Sequence, residues 1–135
     1  MFALRQAVFV VEQNCPFQDI DGKDVSALHL LGWQGDTLVA TLRLFPEFPD
    51  YDGRISIGRV CCSRDLRGQG LGIELMREAI GHIDRDLPDR ETQIGAQLYL
   101  KRFYEIFGFS QCSDVYVEDD IDHILMRRPP QSITN

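Results

Sequence analysis

Apolar residues at Phe2, Leu4, Ala7, Val8 and Val11 recur at helical spacing, so FALRQAVFVVEQ predicts a helix with one apolar face. The following stretch, NCPFQDIDGKDVSA, is rich in Asp, Gly and Pro and reads as a loop; its Asp19, Asp21 and Asp24 either meet a cation or are solvated. LHLLGWQ and TLVATLRLF are apolar and β-compatible, and Gly35-Asp36 between them predicts a hairpin. After a second loop, PEFPDYDG, the run RISIGRVCCS alternates and then turns continuously apolar, as befits a central strand with both faces covered at its far end. Leu71, Leu75, Ala79, Ile83 and Leu87 recur every fourth residue, Ile80 widens the stripe, and Pro88 stops this helix. TQIGAQ is a short strand and LYLKRFYEIF a helix closed by Gly108, while DVYVED and HILMRR form a last hairpin around Asp119-Asp120.

The order is helix, hairpin, strand, helix, strand, helix, hairpin. It sets one parallel strand–helix–strand crossover between two antiparallel hairpins, which predicts an α/β (α+β) fold with a mixed central sheet flanked by helices. Residues 1–128 make one domain, and 129–135, the polar PPQSITN, form a loose tail.

Composition narrows the partners. The 135-residue chain is 44% apolar and 26% charged, ordinary for a folded domain. A net charge of −7 and no clustered basic surface argue against nucleic acid and tilt toward a cationic partner. No apolar run reaches the roughly 20 residues of a membrane span, and the start lacks the features of a signal peptide, so no membrane and a cytoplasmic location are expected. Cys15, Cys61, Cys62 and Cys112 lack C-x-x-C spacing and read as reduced thiols, with no metal site; a homodimer stays open. Arg43 and Arg59 stand within apolar strands, where they bind substrate or pair with a loop aspartate.

The chemistry concentrates at RGQGLG. These glycines lie where a central strand passes into a long helix, and unpaired N–H groups with the positive end of the helix dipole make an anion site there. A P-loop is excluded because no Gly-Lys followed by Ser or Thr is present, and G-x-G-x-x-G fails at Ile73. What remains is Arg67-x-x-Gly70-x-Gly72.

Arg67-Gly68-Gln69-Gly70-Leu71-Gly72 resembles the Arg/Gln-x-x-Gly-x-Gly/Ala signature of the GNAT family of N-acetyltransferases, and LKRFYEIFGF resembles that family's second signature. AVFVVEQNCPFQDIDG, IGRV, GAQ and HI are similar to its ElaA-like branch. The resemblance implies a sheet splayed open beside one strand, with acetyl-CoA in the gap. It implies that the backbone of Val60, Cys61 and Cys62 pairs with pantetheine, and that Arg67, Gly68, Gln69, Gly70, Leu71 and Gly72 hold the pyrophosphate. Gln97 stands where many relatives carry a coenzyme-bonding asparagine, and Tyr104 where a tyrosine protonates the departing thiolate. The implied activity is transfer of an acetyl group to a small-molecule or peptide amine by direct attack.

The chain departs from the pattern at two further places. Gly58 stands about where many relatives carry a glutamate, so the base must come from elsewhere; Glu12, His29, Glu118 and His123 are the candidates. The family's first edge strand has no counterpart before the opening helix, as a truncated or misassigned start would leave it. The lack of an obvious base keeps open a non-catalytic CoA-binding regulatory module, and LRQAVFVVEQ also resembles acyl-homoserine-lactone synthases. A bare phosphate-binding module is a further alternative.

Overall fold

The computed structural model describes residues 1–12, 21–66 and 68–131, with the backbone alone at positions 11 and 12. Cys15, Asp19, Arg67, the side chain of Glu12 and positions 132–135 of the expected tail lie outside the described residues.

The opening helix begins as α1 (Phe2–Gln6) and continues as π-helical turns over Ala7–Glu12. Its most buried side chain is not one of the expected apolar set. Arg5 is 1% exposed whereas Phe2 is 41% exposed. The reason is Asp24, on a short turn (Asp24–Ser26), whose carboxylate accepts from Arg5 Nη1 at 2.7 Å. Arg43 joins the same carboxylate at 3.2 Å and reaches Asp21 at 2.9 and 2.8 Å. A charge survives burial only when it is paired and hydrogen-bonded, so Asp21 and Asp24 draw two arginines inward.

β1 (Leu28–Gln34) and β2 (Thr37–Phe48) form the expected antiparallel hairpin, and β3 (Arg54–Cys62) pairs antiparallel with β2. The expected loop over 46–53 is shorter than its composition suggests. β2 runs through Pro46 with a register shift between Phe45 and Phe48, the kind of irregular ladder in which a residue without an N–H fits. The chain then turns through Pro49–Tyr51. α2 (Leu71–Asp86) connects β3 to β4 (Thr92–Gln97). The expected helix over 98–107 divides into a tight turn (Leu98–Leu100) and α3 (Lys101–Glu105), with Gly108 at φ 94° beyond it. β5 (Ser110–Gln111), β6 (Tyr116–Glu118) and β7 (Ile121–Arg128) complete the chain, β6 and β7 joined through Asp119 and Asp120 at φ 52° and 62°.

Among the described residues the strands make one mixed seven-stranded sheet in the order β1-β2-β3-β4-β7-β5, with β6 also on β7. The stripe of α2 packs Leu75, Met76, Ala79 and Ile83 against Ile55 and Ile57 of β3, Ile94 and Ala96 of β4, and Ile124 and Met126 of β7. Cutting one of these leucine, isoleucine or methionine side chains to alanine costs about 2–5 kcal/mol. Across the middle of the sheet this packing replaces the ladder: β3 and β4 share only the register pair Ile55↔Thr92, beside which the Ile55 N–H donates to the Glu91 carbonyl at 3.1 Å. β4 by contrast pairs with β7 from Thr92↔Arg128 through Gln97↔His123.

Candidate active site

Beyond Ile55 the two parallel strands diverge and leave the edge of β3 without a strand partner. The Ser63 N–H donates to the Val39 carbonyl on β2 at 2.7 Å, so by strand alternation the peptide group of Cys62 faces the gap instead. Two residues, Arg59 and Val60, stand opposite Leu42 alone, because Thr41 pairs with Cys61 and Arg43 with Gly58. This is a β-bulge, with Arg59 in the left-handed region at φ 50°. It lies midway along the open edge, where it turns backbone N–H groups out of the ladder.

The gap widens into a cleft of about 700 Å³. β3 from Ile57 to Cys62 forms one wall, and Gly95 and Gln97 of β4 the other. The glycine turn also lines the cleft, as do Glu118 and Asp119 at the β6–β7 turn and His123 of β7, opposite Gln97. Gly68 and Gly70 take φ 85° and 79°, and no atom lies within 4 Å of a Cβ built on either. Glycine is therefore required there by backbone conformation, not by space. Gly70 caps α2 with no side-chain hydrogen bond, so the first-turn N–H groups are left to bind an anion. Gly72 sits inside the helix, where a Cβ built on it would lie 3.6 Å from the Phe103 ring and 3.9 Å from Cys62 Sγ.

Tyr104 lines the cleft from α3, braced edge-on by Phe103 at 5.1 Å and Phe109 at 6.1 Å. Burial, reinforced by nearby Tyr99, pushes its phenol up to about 12, so it holds its proton throughout the neutral range. His123, across the cleft on β7, is 9% exposed. Its Nδ1 lies 2.7 Å from the Ile121 carbonyl. A carbonyl only accepts, so Nδ1 carries the hydrogen and the neutral ring keeps its lone pair on Nε2, 3.8 Å from Glu118 Oε2.

The structure thus brings Val60, Cys61, Cys62, Gly68, Gly70, Leu71, Gly72, Gln97, Tyr104, Glu118 and His123 to one cleft. Gln69 belongs to the same turn. His29 lies elsewhere: on β1 opposite Arg43, with Nε2 2.9 Å from the Asp24 carbonyl. Arg43 is absorbed by Asp21 and Asp24, and Arg59, on the cleft wall, lies 3.4 Å from Asp21.

Sequence reasoning missed two tyrosines. A Cβ on Gly95 would lie 3.0 Å from the Tyr116 hydroxyl and 3.2 Å from that of Tyr51, so both hydroxyls reach down onto β4 at its one residue without a side chain. The available signal was that glycine itself, since an isolated glycine within a strand marks a close approach.

Comparison with known proteins agrees with this architecture. The acetyltransferase (GNAT) domain family matches residues 11–129. Protein ElaA of Escherichia coli strain K12 is 45% identical over 130 residues, covering 95% of this chain and 84% of that protein. The crystal structure of E. coli ElaA superposes with a TM-score of 0.86, covering 94% of this chain and 86% of the other. An acyl-CoA N-acyltransferase from Pseudomonas aeruginosa gives a TM-score of 0.87 at 44% identity, covering 93% and 85%. A GNAT family acetyltransferase from Elizabethkingia anophelis with acetyl-CoA bound shares the fold at 15% identity, with a TM-score of 0.66 and 84% of each chain covered. An open central strand edge, a glycine cradle at a helix mouth and a profile that spans most of the sequence agree, and the chain belongs to the GNAT acetyltransferase family.

Proposed function

We propose that this protein transfers an acetyl group from acetyl-CoA to a primary amine by direct attack on the thioester. The observation that carries this reading is the single pairing between β3 and β4, which leaves a strand edge for an extended amide-bearing chain and a helix mouth for its phosphates. The Gly68–Gly72 turn would hold the diphosphate. The edge at Val60 and Cys62 would pair with the pantetheine amides, while the backbone of Cys61 is turned to Thr41 of β2, and Gln97 would add a side-chain contact from β4. The acetyl-CoA-bound fold neighbour supports the choice of cosubstrate.

The chain's own groups then divide the proton work. An ammonium must lose a proton before it can attack, and His123 Nε2 is the lone pair on the cleft wall suited to take it. The amine nitrogen bonds to the thioester carbon, and the charge that develops on oxygen meets N–H groups at the bulge. The C–S bond then breaks and the sulfur leaves beside Tyr104. A phenol near 12 gives its proton to a thiol of ordinary value near 8.5 only at a cost of about 5 kcal/mol. Tyr104 therefore stabilises the sulfur first as a hydrogen-bond donor, and transfers its proton only as the full negative charge forms. Thiol release from acetyl-CoA across a panel of primary amines tests the reading. Release that depends on amine supports it, and tight coenzyme binding with no release on any amine overturns it.

A further inference from the structure

Beside Gly95 on the cleft wall stand polar groups that the reading above leaves without work. Tyr51 is set there by an aromatic ladder, Phe45 to Phe48 at 4.8 Å and Phe48 to Tyr51 at 4.9 Å, and by Arg54 donating to its carbonyl at 3.2 Å. Tyr116 is set by stacking on His123, ring centres 5.8 Å apart and planes 26° from parallel. The two phenols, from chain segments far apart, converge over the bare backbone of Gly95. Neither hydroxyl makes a hydrogen bond among the described residues. Two half-buried hydroxyls aimed at one spot without a mutual bond leave donors and lone pairs for a third group. Glu118, the third residue of β6, lies beside His123 and is near enough to both phenols to disfavour their ionised forms.

The charged side chains that bear on the two phenols, Glu118 and Asp50, are both acidic, and the nearby Arg54 is paired with Glu91 and Asp52. Of the groups lining the cleft, Arg59 lies against Asp21 on the β3 side, whereas Glu118 lies 3.8 Å from His123 Nε2. Phenol oxygens and a carboxylate around a slot favour a cation, and the tyrosine faces add attraction for one.

We infer that Tyr51 and Tyr116, meeting over Gly95, are specificity-determining residues for the acceptor, which is an aliphatic amine carrying a second positive charge held between the phenols and Glu118. The inference rests on the acetyltransferase reading for what happens to the amine, but not for its binding. The test therefore separates the two. Calorimetry with coenzyme A in place compares 1,4-diaminobutane, butylamine and 4-aminobutyrate on the wild type and on Tyr51→Phe, Tyr116→Phe and Glu118→Gln. The diamine should bind tightest and the carboxylate-bearing amine weakest. Each phenylalanine variant should weaken the diamine about tenfold and leave coenzyme A affinity unchanged, and Glu118→Gln should abolish most of the preference for diamine over monoamine. Gly95→Ala, which pushes on both hydroxyls, should raise the acceptor KM alone. Diamine binding with these sensitivities but no thiol release would keep the inference and sink the acetyltransferase reading. Thiol release with no preference for the second charge, or diamine binding indifferent to both tyrosines, would overturn the inference and leave the activity standing.

Discussion

Alanine at each glycine of the turn separates backbone conformation from space. At Gly68 and Gly70 an added Cβ meets nothing within 4 Å, yet φ is 85° and 79°. The whole cost is the left-handed backbone, about 1–2 kcal/mol per residue. At Gly72 the added Cβ makes ordinary contacts with the Phe103 ring at 3.6 Å and Cys62 Sγ at 3.9 Å, within a helix where alanine outranks glycine by about 0.5–1 kcal/mol. Three substitutions of equal size therefore differ in sign. With about 3–5 °C per kcal/mol in a domain of this length, Gly70→Ala should lower the melting temperature by about 3–10 °C, and Gly72→Ala should raise it slightly. If the strained residue relaxes to negative φ, its N–H swings away from the helix mouth. One charge-assisted hydrogen bond lost is about 1.5–3 kcal/mol, or roughly tenfold to a hundredfold in coenzyme A affinity. Gly35→Ala is the control: φ is 59° with nothing within 4 Å, in the β1–β2 turn away from the cleft, so it should lose stability and keep coenzyme binding. Scanning fluorimetry and calorimetry read both quantities. Coenzyme A binding by Gly70→Ala equal to wild type, or a loss in Gly72→Ala as large as in Gly70→Ala, would refute the phosphate-cradle argument.

Other predictions follow the same residues. Tyr104→Phe should lower kcat by roughly tenfold to a hundredfold, the worth of a hydrogen bond to a charged group, with coenzyme A affinity near wild type by calorimetry. His123→Gln should lower kcat/KM at pH 7 by about a hundredfold or more, and a rate profile from pH 7 to 10 should show recovery as the amine loses its proton to solvent; a flat profile would remove His123 as the base. Asp21 is held well below the usual carboxylate range, chiefly by hydrogen bonds from Arg43. A depressed folded value stabilises above the unfolded value near 4 and is lost as pH falls below it. Asp21→Asn should therefore melt lower than wild type at pH 7, and the difference should shrink steadily below about pH 4.

What could be read from the sequence was local. The β1–β2 hairpin follows from two apolar runs around Gly35-Asp36, α2 from its four-residue stripe and Pro88, and the glycine turn from its place between strand and helix. What escaped depends on partners distant in the chain. Arg5 lies in the core because Asp24, beyond a loop, meets it there, and no periodicity over residues 2–12 encodes that. Glu118 and His123 could be named as candidates but not brought together, since their approach comes from the β6–β7 turn and the tautomer of His123 from a carbonyl two residues away. Tyr51 and Tyr116 approach each other only because β2 extends beyond Pro46 and β7 pairs along β4, two features of register rather than composition.

The one backbone pair joining β3 to β4 makes the sheet two rigid panels bound mainly by oil. Leu75, Met76, Ala79 and Ile83 grip both panels from below, and solvent exclusion, unlike a ladder of directional bonds, tolerates small sliding. The seam rests on apolar packing more than on directional bonds, and since apolar adhesion weakens on cooling, the panels are held together less firmly in the cold.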